Sequence, residues 1–65
     1  MNNDQFEGKW KELKGQAQQR WGDLTNDDVD RVSGRQEELE GLLQQRYGYE
    51  KDRAHREVND WIAGR

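Results

Sequence analysis

The pentapeptide QQRWG, Gln18 to Gly22, returns as QQRYG, Gln44 to Gly48, in a chain of only 65 residues. Shifting the sequence by 26 positions widens the match without a gap. Gly8, Glu12, Leu13 and Gly15 fall on Gly34, Glu38, Leu39 and Gly41, Lys9 falls on Arg35, and Val32 falls on Val58. Such an internal repeat asks both halves to adopt similar structure.

Working outward from QQRWG, the preceding residues Phe6, Trp10, Leu13, Ala17 and Trp21 recur at spacings of three and four. This is the pattern of an amphipathic helix with one apolar stripe. Gly22 lies just past the stripe, where a left-handed C′ glycine ends a helix without a Cβ clash. Thr25 followed by Asp28 makes a start like a capping box, and a short second helix through Asp27, Asp28 and Asp30 would bury Val29 and Val32 before Ser33 and Gly34 let the chain turn. The second half repeats the scheme. Leu39, Leu42, Leu43 and Tyr47 mark a third helix, Gly48 its left-handed stop, and Ala54, Val58, Trp61 and Ile62 a fourth. Either Tyr49 or Glu50 must cap that last helix, and neither is a favoured cap residue, so its start is expected to fray. The sequence therefore predicts an all-α domain covering 1–65, with four short helices forming two packed helical hairpins and a core of about a dozen side chains.

Composition narrows the functional classes. Apolar residues make up 29% of the chain and charged residues 38%, with a net charge of -3 and no cysteine. A domain of this size buries only about 60% of its unfolded surface, so stability is expected to be thin. Without cysteine there is no disulfide, thiolate metal site or cysteine nucleophile. The stretch MNNDQFEGKW has no apolar run like that of a leader or a membrane span, and a cytoplasmic location is expected. Residues 21 to 40 hold seven acids against Arg31 and Arg35, and elsewhere bases alternate with acids. Nucleic acid is an unfavoured partner for such a chain.

Candidate chemistry is sparse. His55 is the only histidine and Ser33 the only serine, and nothing in their spacing builds a triad; His55 reads as a boundary or surface residue of the fourth helix. The run DDVD, Asp27 to Asp30, fails the calcium-loop pattern, which would place an acid or amide at Val32 and glycine at Ser33. It reads as acids suited to a helix start. Trp10, Trp21, Tyr47 and Trp61, with Arg20 and Arg46 beside two of them, offer stacking platforms for a single strand, but they lie on the apolar stripes and read as core. No catalytic, cofactor-binding or metal-binding residue is assigned. The glycines resist an easy structural reading. Gly8 and Gly15 lie seven apart, by helical phase opposite the apolar stripe, and Gly34 and Gly41 repeat the spacing. Each mid-helix glycine costs about 0.8–1.0 kcal/mol relative to alanine.

The segments GKWKELKG (Gly8 to Gly15), RWGDLTNDD (Arg20 to Asp28), GRQEELEG (Gly34 to Gly41) and QQRYGY (Gln44 to Tyr49) together resemble the CsbD-like family of small bacterial stress-response proteins. The resemblance covers nearly the whole chain. It implies four helices as two hairpins packed across each other, induction under general stress, and no assigned biochemical activity. Glu50 departs from the family, which often has a better helix cap there. From composition and resemblance together, the chain is expected to be a non-enzymatic, monomeric stress-response protein. It would act as a hydrophilic protectant against aggregation or, alternatively, as a helical module for a specific protein partner.

Overall fold

The computed structural model of the chain describes residues 3–64, with side chains from 5 onward. Met1 and Asn2, part of the stretch read for a leader, lie outside the described residues. Four helices follow one another: α1 (Asn3–Arg20), α2 (Asn26–Arg31), α3 (Gln36–Tyr47) and α4 (Lys51–Ala63). α1 packs with α2 and α3 with α4, so the described residues form two hairpins. At 1.5 Å per residue, the 18 residues of α1 span about 27 Å, the full long dimension of the molecule.

The apolar stripes become the core. Phe6, Leu13, Ala17, Leu39, Leu43, Ala54 and Val58 are all but fully buried. Trp10 is buried as well, stacked on Phe6 with ring centroids 5.3 Å apart. Its Nε1–H donates to the Val29 carbonyl of α2 at 3.2 Å, which satisfies the one polar atom of the indole. Tyr47, Trp61 and Ile62 are only half-buried at the margin of this core. Leu24, which falls outside the repeating spacing, is buried in the turn between α1 and α2.

The helix ends differ in how they are made. Thr25 caps α2 in a complete capping box: its Oγ1 accepts from Asp28 N–H and the Asp28 carboxylate accepts from Thr25 N–H, each at 3.1 Å. Val32 follows α2 as its C-cap and is buried there. Gly48 ends α3 in the left-handed conformation, φ 69°. Glu50 begins α4 without a side-chain cap bond, as its residue type predicts.

Two expectations need correction. Gly22 does not adopt positive φ; among the described residues only Gly34 and Gly48 do. After α1 the chain makes a turn in which Leu24 N–H donates to the Trp21 carbonyl at 3.0 Å. That turn carries Leu24 inward on ordinary backbone, and no left-handed residue is required. The halves are also unequal. Gly34 matches Gly8 in the repeat, yet Gly8 sits inside α1 while Gly34 lies in the connection before α3. Here the reason is steric: at φ 98° a Cβ on Gly34 would lie 2.8 Å from Glu7 Cα, so α1 crosses the connection at a distance only glycine permits.

Candidate functional site

The repeated QQR-aromatic-Gly segments turn out to share a task, because the arginine and aromatic of each copy reach the opposite hairpin. From the first copy, Arg20 meets Glu57 of α4 at 3.5 Å and Trp21 meets Trp61 edge to face, centroids 5.2 Å apart. From the second copy, Arg46 grips Asp28 of α2, with Nε to Oδ2 at 2.9 Å and Nη2 to Oδ1 at 2.6 Å. The neighbouring Tyr47 hydroxyl accepts from Asp23 N–H at 3.1 Å. Each hairpin thus extends a cation and a ring to the other, making a reciprocal clasp.

The two arms of the clasp differ in strength. Asp28 has a side chain only 2% exposed and gives both oxygens to Arg46, a bidentate charge-assisted pair. The Arg46 hydrogen bond, then the Thr25 amide and the nearby Arg46 charge, hold the Asp28 carboxyl down to about 2 from an ordinary value of 3.8, against the opposing effect of burial. Arg20 and Glu57 meet in solvent at longer range, and exposed pairs of this kind contribute little. In that arm the tryptophan contact carries most of the attachment. The sequence offered only the matched arginine–aromatic pairs as a signal for the clasp, because the groups they meet are not related by the repeat.

His55 bridges α3 and α4. Nδ1 donates to Glu40 Oε2 at 2.9 Å, and Nε2 accepts from Asn59 Nδ2 at 2.8 Å. Gln36 Nε2 closes the ring with 3.1 Å bonds to Glu40 and Asn59. The imidazole has a side chain 61% exposed, so it is the surface residue its position suggested. Ser33 is engaged elsewhere, its Oγ–H donating to Glu38 Oε1 at 2.7 Å. That bond, with further help from the Ser33 amide, lowers the Glu38 carboxyl below its ordinary value.

Of the stacking-platform candidates, Trp10 and Trp21 are buried, whereas Tyr47 and Trp61 are partly buried, Trp61 edge to face against Trp21 and Tyr47 stacked on Tyr49. Of DDVD, Asp28 is committed to Arg46 and Thr25, and Asp30 accepts from Lys14 Nζ at 2.9 Å. What stays open is the glycine surface. At Gly8, Gly15 and Gly41 an added Cβ would meet no atom of the described residues within 4 Å beyond its own stretch of helix. Gly41 also borders an open groove of about 310 Å³ between α2 and α3, with Arg31, Val32, Glu38, Leu42 and Gln45.

A family model described as CsbD-like matches residues 4–56 of the chain. The chain belongs to the CsbD-like family. Curated relatives are similar across nearly their whole length. UPF0337 protein msl9551 of Mesorhizobium japonicum is 61% identical over 94% of this chain and 91% of its own. UPF0337 protein Atu4724 of Agrobacterium fabrum is 54% identical over the same shares. UPF0337 protein YjbJ of Escherichia coli K12 is 48% identical over 94% of this chain and 88% of its own. In this CsbD-like chain the geometry is a clasped pair of hairpins with open glycines on the outside. No helix of the described residues is long and apolar enough to cross a membrane.

Proposed function

We propose that this CsbD-like protein is a non-enzymatic stress-response protein that limits the aggregation of other proteins as a hydrated, easily loosened helical body. The observation that carries the reading is the open space at Gly8, Gly15 and Gly41. Nothing among the described residues requires glycine there, yet each one weakens its helix. A sequence that keeps such residues keeps its helices soft. A mean hydropathy of -1.56 supports the same reading, since a strongly hydrated surface can sit between aggregating chains without joining them. Family membership supports the stress setting.

One observation favours a second reading. Gly41 borders the α2–α3 groove, where an absent side chain leaves room for a partner's backbone. Under that reading the protein is a module for one specific protein partner. Recovery of the tagged protein from stressed cells separates the two: a protectant returns many substoichiometric clients, whereas a module returns one dominant partner at fixed ratio, which would overturn the first reading.

A further inference from the structure

The two hairpins are joined by one short connection, from Val32 at the end of α2 to Arg35 at the N-cap of α3. None of the contacts that hold them together depends on being made within one chain. Arg46 on Asp28, Tyr47 on Asp23 and Trp21 on Trp61 would be identical if the partner hairpin came from a second molecule. What differs is the connection itself. In the closed chain it bends at Gly34, which is buried, lies at φ 98° and sits under Glu7 of α1. Short connections forced into one geometry invite exchange, because opening them relieves the constraint while the interface is rebuilt between chains.

We propose that this protein forms a hairpin-exchanged dimer, in which the first hairpin of one copy clasps the second hairpin of another, and that Gly34 sets the balance toward the closed chain. The partner is a second copy because its surface is the complement already visible inside the molecule. Extended, the three residues Ser33 to Arg35 reach about 10 Å, enough to separate the hairpins of one chain without unravelling either. Any residue other than glycine at position 34 brings its Cβ against the Glu7 backbone and disfavours closing, while an opened connection accepts it freely.

The test is light scattering after size-exclusion chromatography of wild type and Gly34→Ala, each refolded at high micromolar concentration. The left-handed penalty alone disfavours the closed connection by about tenfold per chain, and a dimer relieves two connections, so the dimerisation constant should rise about a hundredfold. A Gly34→Ala dimer with wild-type helix content is expected; a folded Gly34→Ala monomer at every concentration overturns the proposal. Should Gly34→Ala lose its helices, the decision rests on two chains that retain Gly34. One carries Arg20→Cys and the other Glu57→Cys, and they are refolded together and joined with a short bis-maleimide, the chain having no other cysteine. Mixed crosslinked dimers in excess of the random ratio, rising with concentration, support exchange; the random ratio itself refutes it.

Discussion

At Asp28 two carboxylate oxygens serve a helix cap, a buried position and a tie between hairpins. Its pKa falls on folding, so it stabilises the folded chain wherever it is ionised in both states. That contribution is complete above its ordinary value of 3.8 and disappears as the pH falls through about 2. Glu38 carries the same sign through its bonds from Ser33. Stability by urea titration should therefore hold level toward pH 5 and decline below about pH 4. In Asp28→Asn the neutral-pH stability should drop and the acid decline become shallower; an unchanged decline would show that Asp28 is not its source. Glycine gives a second residue-scale contrast. Gly48→Ala places a Cβ at φ 69° and should cost roughly 1 kcal/mol, about 4–8 °C in Tm for a domain of this size. Gly22→Ala meets neither positive φ nor a neighbour and should stay within about 0.5 kcal/mol. Equal losses in both would contradict the turn geometry. The repeat made these two glycines look alike in sequence, and only the inward pull of Leu24 separates them.

The helices themselves were legible because their stripes are regular. Phe6, Trp10, Leu13 and Ala17 fix α1, and Leu39, Leu42 and Leu43 fix α3, through spacing alone. The cap signal at Thr25 and the missing one at Glu50 were equally local. Gly34 was legible as a turn residue, but the close approach of α1 over it was not, since that contact comes from Glu7, far away along the chain. The clasp was hidden for the same reason: Arg46 and Asp28 are 18 residues apart and Arg20 and Glu57 are 37 apart. Two predictions belong to this scale. Gly15→Ala with Gly41→Ala should raise stability by about 1–2 kcal/mol, read from urea unfolding, because open helical sites accept alanine and gain its propensity. Destabilisation would mean that some contact in the monomer needs those glycines. Glu50→Ser should supply the cap α4 lacks and add about 0.5–1 kcal/mol. A loss at that position would place the helix start elsewhere.

For the whole molecule, the clasp decides whether two small hairpins behave as one body. Neither hairpin has a second layer against which to bury its stripe, so each depends on the other for its core. Unfolding should be a single transition, with tryptophan fluorescence and far-ultraviolet dichroism coinciding; separate midpoints would mean hairpins that melt independently. A body held this way but carrying open glycines on the outer surfaces of α1 and α3 is well suited to loosen under load, and that softness is the centre of the proposed function. Its most direct measurement is light scattering from several unrelated aggregation-prone clients, each mixed with wild type or with Gly15→Ala/Gly41→Ala. Wild type should suppress aggregation of every client in a dose-dependent way, and the stiffened variant should protect no better or worse despite its higher stability. Improved protection by the variant, or protection of one client alone at fixed stoichiometry, would contradict it.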